Sequence, residues 1–392
     1  MNLVLFDDPV IRVDLMPFTL TRPVAAIRVG MLTIAEKWST YSGSPVSFLT
    51  VDYLQEKFPS RTSANTLFVN GALCPDDQLY QEISSLSAGE SLVYGNQLLA
   101  VLGSKPEITG KVKQYTSTPV VIDQVWKIFQ HNAAQIRADF ARVTKGRKSE
   151  PITDPHTRIY APENIFLEED VQLHACVLNG STGPIYLGKG SQVQEGAVIR
   201  GPFALGEGSV VNMGAKVRGD STVGPHSKVG GEISNAVIFG YSNKGHDGFL
   251  GNSVIGEWCN LGADTNTSNL KNNYEDVKIW NYRKGGFVST GQMFCGLMMG
   301  DHSKCGINTM FNTGTVVGVG ANIFGDGYPR NFVPSFAWGG AAGFTTFQLN
   351  KVFETASKAM ERRSLVLSEI DKRILTALFE QSAPERVWEK KA

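Results

Sequence analysis

LGKGSQVQEGAVIRGPFALGEGSVVNMGAKVRGDSTVGPHSKVGG, Leu187 to Gly231, places an aliphatic residue at every sixth position: Leu187, Val193, Ile199, Leu205, Val211, Val217, Val223 and Val229. A helical stripe recurs every 3.6 residues and a strand every two, so a sustained period of six belongs to neither. Small residues stand four places after most of these positions, at Ser191, Ala197, Ser209, Ala215, Ser221 and Ser227, and only Phe203 and Ile233 depart from this. Gly188, Gly206 and Gly224 directly follow an aliphatic position. The pattern describes a coil of three short strands, in which the aliphatic side chain stacks inward on its equivalents and the small residue lets the chain turn.

The register returns at Phe249, Ile255 and Leu261, then at Met299, Cys305, Phe311, Val317 and Ile323, with Ser253, Thr265, Ser303, Thr309, Thr315 and Ala321 at the small positions. An earlier, weaker block is Ile165, Val171, Val177. The period fails around Asn235 to Gly248 and across Thr267 to Gln292, and loops that interrupt a repeat tend to gather on a binding face. Beyond the repeat, Val333 to Gly340 (VPSFAWGG) reads as a loop. Leu349, Val352, Phe353, Ala356 and Met360 then mark one face of an amphipathic helix, and Ile370, Ile374 and Leu378 mark a second. Such helices are suited to cap the open end of a solenoid.

Residues 1–150 lack the period. Strand-like runs (Leu3 to Phe6, Leu67 to Val69, Leu98 to Leu102) alternate with helical ones, the clearest being Asp123 to Phe140 with Asp123 as N-cap, which predicts a compact α/β unit. Thr144 to Pro162, rich in Lys, Arg, Ser, Thr and Pro, reads as the linker. The organisation expected is therefore an α/β domain over 1–150, a parallel β-helix over 151–340 and a helical tail over 341–392.

Lys plus Arg and Asp plus Glu both number 37, so no net field draws the chain to nucleic acid or to an anionic membrane. Five scattered cysteines form no CxxC pair, and His131, His156, His174 and His226 have no metal spacing; the set fits a reducing cytoplasm and no structural metal. No apolar run approaches the ~20 residues of a membrane span, and no basic segment precedes the opening apolar run.

GHDGFLGNSVIGEWCNLGADTNTSNLKNNYEDVKI, Gly245 to Ile279, resembles the acetyltransferase active-site stretch of bifunctional sugar-1-phosphate uridylyltransferase/N-acetyltransferases, whose pattern runs roughly GHxxYxGDxxIGxxxNIGAGTxTxN. SNKGHDGFLG and GDHSKCGINTMFNTGTVVG also resemble the β-helix of archaeal-type sugar-1-phosphate nucleotidyltransferases. This likeness covers most of 160–340 and implies that the β-helix is left-handed. RVDLMPFTLTRPVAAIRVGMLTIAEKW, Arg12 to Trp38, is similar to a short, divergent sugar nucleotidyltransferase type found in bacteria. There the usual Gly-rich GxGTR loop is missing, with no glycine before Gly30, and Asn70 and Gly71 stand where the metal-binding acid of that class belongs.

The resemblance implies roles. His246 would be the general base that takes a proton from the substrate amine as it attacks the acetyl thioester, a task suited to a near-neutral group. Asn260 and Asn269 match asparagines that hold substrate, though asparagine ladders also build β-helix corners. The Gly262–Ala263 backbone would offer an N–H to the thioester oxyanion. Lys271, with Lys278 and Arg283 behind it, would meet sugar or coenzyme phosphates. Phe249 replaces a tyrosine of the family. In the N-terminal domain Arg22 and Lys37, with Arg12 as a further candidate, would neutralise a nucleoside triphosphate during in-line attack, and Asp8 would hold Mg²⁺.

The activity so implied is acetyl transfer from acetyl-CoA to a hexosamine 1-phosphate joined to uridylyl transfer from UTP or another triphosphate, in a cytoplasmic homotrimer. Two alternatives stand beside it: a sugar-1-phosphate nucleotidyltransferase whose β-helix is structural or regulatory, and a non-catalytic sugar-nucleotide-binding scaffold.

Overall fold

A computed structural model describes residues 2–389 and divides into two compact units. The first comprises the chain up to Leu15, Thr19–Ile27 and Leu32–Val125; the second comprises Met16–Phe18, Arg28–Met31 and the chain from Trp126 onward.

The first unit is built on a six-stranded mixed sheet in the order Ser47–Leu49, Asn2–Phe6, Thr66–Asn70, Gln97–Gly103, Ser91–Tyr94, Val112–Gln114. Asn2–Phe6 pairs in parallel on both sides, with Ser47–Leu49 and Thr66–Asn70, and its continuous apolar run is buried on both faces as an interior strand requires. Helix Ile34–Ser42 is fixed at its start by a capping box between Thr33 and Glu36 and stopped by Gly43 at φ 67°. The three strand-like runs of the sequence all lie in this sheet.

The second unit is a parallel β-helix with three faces. One column of inward side chains runs Leu167, Leu187, Leu205, Val223, Ile238, Ile255, Met299, Val317, Val333, each directly over the last. Leu187, Leu205 and Val223 are three hexads apart, so the six-residue period is one face and three periods close a coil. A second column begins Leu173, Val193, Val211, Val229 and continues from Leu261 through Cys305 to Ile323. A third runs Leu178, Ile199, Val217, Ile233, Leu250. These residues form a single core cluster, and each coil shields the apolar surface of its neighbours.

Three expectations about the register are corrected. In the early block the core residues are Leu173 and Leu178; Val171 and Val177 are half-buried. Leu250 takes the inward place expected for Phe249, because strand Phe249–Glu257 aligns on Glu232–Gly240 with Ile233 opposite Leu250. VPSFAWGG is no loop: Phe332–Val333 and Ala337–Gly340 extend two faces by another coil, with Phe336 turning the corner at φ 60°.

The corners carry left-handed residues. His226, Tyr241, Trp258 and His302, all at φ 53–61°, stack ring on ring up one corner at 5.2, 4.4 and 6.4 Å. The interruption after Thr267 contains a hairpin, Lys278–Asn281 with Gly286–Ser289. Helix Leu349–Glu361 buries Val352, Ala356 and Met360, and helix Glu369–Gln381, capped by Ser368 and Asp371, buries Ile374, Leu375 and Leu378.

The long helix at the start of this unit is Val125–Val143, so Asp123 stands before it rather than inside its cap. Its fully buried Asn132 donates to Asp220 O at 2.9 Å and accepts from Gly30 N at 2.7 Å and Thr222 Oγ1 at 3.1 Å. The helix is thus tied to the prism wall.

Candidate functional site

The best-matched motif lies at one corner of the prism. The face Asn243–Lys244 ends there, Gly245–Gly248 turn, and the next face begins at Phe249. Gly248 has φ 111°, and a Cβ on it would sit 2.2 Å from Thr265 O, so only glycine fits. The corner is anchored on both sides: Asn212 Nδ2 donates to Gly245 O at 2.7 Å, Glu232 N to Gly248 O at 3.1 Å, Asp264 N to Asp247 O at 3.1 Å, and Phe249 N to Asn266 Oδ1 at 2.9 Å. His246 is exposed at its apex.

Lys244, one residue before the corner, is 1% exposed. It pairs with Val229 below, and its neighbour Asn243 pairs with Asn260 above, so Lys244 stands in the aliphatic column between Val229 and Leu261. Its Nζ donates to His246 O at 2.5 Å, Asp247 O at 3.0 Å and Gly230 O at 3.3 Å. Burial lowers its pKa to about 8, against the opposing pull of Asp247, Cys305 and Asp264. Sequence reading missed this residue, because a lysine at a column position looks like a break in the repeat.

The other residues of the motif are spread over two corners. Asn260 is exposed on the face that carries Lys244, its N–H committed to Ser303 O. Gly262 N donates to Cys305 O at 3.1 Å and Ala263 O accepts from Asn308 N at 2.8 Å. The Gly262 N–H is therefore spent on the ladder and is not offered to an oxyanion. Asn269 lies at the following corner, where its Nδ2 donates to Asn252 Oδ1 at 2.8 Å, and Lys271 Nζ donates to Asp276 O at 2.8 Å. The face made by Phe249–Leu250 and Asn266–Thr267 lies between these two and His246, so one chain does not bring them together.

Lys271 instead borders a groove of about 1740 Å³, lined among others by Lys278, Trp280, Phe287, Arg330 and Glu385. Trp280 stacks on Phe332 with ring centroids 4.2 Å apart, and Tyr282 meets the other ring edge-on. Trp280 Nε1, Tyr282 Oη and Glu385 Oε2 are buried without a hydrogen-bond partner. Burial raises the Glu385 carboxyl to about 7, with Arg386 pulling the other way, and pushes the Tyr282 hydroxyl well above its ordinary value. The tryptophan and tyrosine of KIWNY could have been flagged as aromatic residues inside an interruption; nothing in the polar tail singles out Glu385.

In the first unit the structure redirects two candidates. Asp8 is an N-cap, its Oδ1 accepting from Val10 N and Ile11 N. Arg12 is buried, paired with Asp7 at 2.8 Å, and donates further to Thr19 O, Arg22 O, Thr50 Oγ1 and Tyr53 Oη. Its guanidinium is consumed in holding the Pro9–Asp14 helix to the loop that follows, which corrects its assignment to a phosphate. Arg22 and Lys37 are also buried. Asn70 ends its strand by accepting from Ala72 N and donating to Leu98 O. Among the described residues no three His, Cys, Asp or Glu side chains gather as a metal site, and Asp8, the residue expected to hold Mg²⁺, has its Oδ1 engaged at the helix start.

Residues 3–148 match the family model described as sugar nucleotidyl transferase. The chain is 34% identical over 100 residues to the bifunctional sugar-1-phosphate nucleotidylyltransferase/acetyltransferase of Sulfurisphaera tokodaii, covering 25% of this chain and 24% of that protein. It is 34% identical over 87 residues to the bifunctional protein GlmU of Methanocaldococcus jannaschii, 22% and 21% of the two chains. To an uncharacterized acetyltransferase of Escherichia coli, YaiX, it is 34% identical over 153 residues, 38% of this chain and 66% of that one. The chain thus spans about a quarter or less of the length of the two bifunctional relatives. By its domain plan, a sugar nucleotidyl transferase-type domain followed by a hexapeptide β-helix, the chain is similar to the GlmU-type bifunctional proteins.

Proposed function

We propose that the chain is a transferase of amino-sugar nucleotide synthesis, in which the β-helix acetylates a hexosamine 1-phosphate and the N-terminal domain transfers a uridylyl group to the product. The amine attacks the thioester carbonyl of acetyl-CoA, the imidazole of His246 takes the proton released and passes it to the departing thiolate sulfur as the C–S bond breaks, and coenzyme A leaves as the thiol. The sugar phosphate oxygen then attacks the α-phosphate of UTP and pyrophosphate departs. Arg22 and Lys37 are the basic residues proposed for that second step, and no step is assigned to Mg²⁺. The same reading proposes a cytoplasmic location.

The observation that carries the reading is the His246 corner, an exposed imidazole on a backbone turn held from both sides. Asn260, Asn269, Lys271 and Ala263 are proposed to bind substrate. Since a whole face separates His246 from Asn269 and Lys271, a complete site requires a neighbouring prism, and we take the assembly to be a homotrimer, a closed arrangement favoured in homo-oligomers. Light scattering checks the assembly: a concentration-independent monomer refutes it.

The functional test is a product scan with acetyl-CoA, UTP and a panel of hexosamine 1-phosphates. A second reading, acetyl transfer without nucleotidyl transfer, is favoured by the commitment of Arg12 to Asp7. N-acetylhexosamine 1-phosphate accumulating in the presence of UTP selects it. Uridylyl transfer without acetylation instead selects a nucleotidyltransferase with a structural β-helix, and binding without turnover selects a scaffold.

A further inference from the structure

A leucine at position 244 would continue the aliphatic column between Val229 and Leu261. The chain places an ammonium there instead. Taking a charge out of water is unfavourable unless its hydrogen bonds are replaced, and here the replacements are three backbone carbonyls for the three N–H donors of the ammonium. Two of those carbonyls belong to His246 and Asp247, the apex of the corner. The third, Gly230 O, belongs to the coil beneath, whose Gly230 N also donates to Lys244 O at 2.7 Å. The stem therefore packs as part of the column while the head ties the apex to the preceding coil.

We infer that Lys244 is a positioning residue for His246: its buried ammonium, set in the aliphatic column, fixes the Gly245–Gly248 corner through the carbonyls of Gly230, His246 and Asp247 and so holds the imidazole at one height above the prism. The inference rests on His246 being the base of acetyl transfer. Lys244 does not itself touch substrate; the column encloses it. The ionisable side chains that act on it are Asp247, Asp264 and Cys305.

The test uses the full chain with Lys244→Leu and, as a second shape analogue, Lys244→Met, assayed with acetyl-CoA and glucosamine 1-phosphate or galactosamine 1-phosphate. Both variants keep the column apolar, so each melts at or above the wild-type temperature, while kcat falls about 10- to 100-fold, the cost of a slightly misplaced reacting group. KM for acetyl-CoA stays unchanged. In the wild type kcat declines above about pH 8 as the ammonium is lost, and the Leu variant lacks that alkaline limb. Unchanged kcat in both variants overturns the inference, as does a parallel fall of kcat and melting temperature, which marks a purely structural lysine. His246→Ala separates the two levels: an inactive His246→Ala beside a fully active Lys244→Leu sinks the positioning role alone, whereas an active His246→Ala, or a wild type without acetyl transfer, removes the base assignment and this inference with it.

Discussion

Lys244 Nζ lies 2.5 Å from the carbonyl oxygen of His246, two residues further along the chain, with the lysine buried and the imidazole exposed. The contact joins the apolar interior of the prism to the apex of the turn where the proposed chemistry occurs. The geometry of that turn thus depends on a charge inside the core as well as on its own glycines.

His246→Ala removes only an exposed side chain at a turn and leaves the columns untouched. Acetyl transfer is expected to fall about 10²- to 10⁴-fold, the usual loss for a general base, with melting temperature and uridylyl transfer unchanged. Steady-state assays of both half-reactions check it; wild-type acetylation refutes the assignment.

The pKa of Lys244, lowered to about 8 in the fold from an ordinary 10.5, also fixes the sign of a stability effect. Between those values the unfolded chain binds more protons at this site than the folded one, so the lysine's contribution to stability rises with pH. Lys244→Leu is therefore expected to exceed the wild type in stability at pH 7, and the gap is expected to narrow from pH 8 toward 10.5. Taking the difference between the two proteins cancels Cys259 and Cys295, whose thiols burial raises to about 12. Urea denaturation at several pH values measures the gap; a constant or widening gap counts against the assignment.

Glu385 has the opposite dependence. Its folded pKa of about 7 exceeds the ordinary 4.5, so its stabilising contribution is complete below pH 4.5 and is lost as pH rises through 7. Glu385→Gln is expected to be more stable than the wild type at pH 8 and no more stable at pH 4. Melting curves at the two pH values test this, and Trp280 and Trp388, which line the same groove, provide a fluorescence signal.

Arg12 and Asp7 are each about 5% exposed at the side chain. Arg12→Ala leaves a buried carboxylate without its cation and is expected to cost roughly 3–5 kcal/mol of stability in the first unit, the usual price of breaking such a pair. A variant that loses UTP binding while keeping wild-type denaturation behaviour would instead restore Arg12 as a phosphate ligand.

The β-helix was legible where its period runs unbroken from Leu187 to Val229, because each aliphatic position there is also a column position. It became illegible where coils change length. Leu250 and Ile255 are both column positions but stand five residues apart instead of six, so counting back by six from Ile255 assigns Phe249 to the place that Leu250 holds. In VPSFAWGG a left-handed phenylalanine turns the corner, so no glycine marks the turning position. At the site, the corner containing His246 was readable from its motif. Lys244 was not, because a polar residue in a column makes sense only once the carbonyls above it are known. Arg12 was misread for a related reason: sequence shows a charge but not the Asp7 that absorbs it.

The last prediction concerns how much of the chain the β-helix needs. By sequence, a piece spanning residues 150–392 should fold and acetylate by itself, since a solenoid is stabilised by adjacent coils. The structure makes this cut too late. The helix Val125–Val143 belongs to the β-helical unit, and without it Thr222 Oγ1 loses Asn132 Oδ1 and Asp220 O loses Asn132 Nδ2. Met16–Phe18 and Arg28–Met31 belong there too: Phe18 packs on Phe239 with ring centroids 5.2 Å apart, and Arg28 donates to Phe239 O at 3.0 Å. Phe239 is 1% exposed in the intact chain. A fragment 150–392 is expected to melt below the full chain and to expose apolar surface at Phe239. Thr222→Val, which removes one hydroxyl from that seam, is expected to lower the stability of the full chain by about 1 kcal/mol and to leave the fragment unchanged. Calorimetry of the two lengths, each with and without Thr222→Val, provides the comparison. Equal melting temperatures for fragment and full chain would show that the prism stands without the helix.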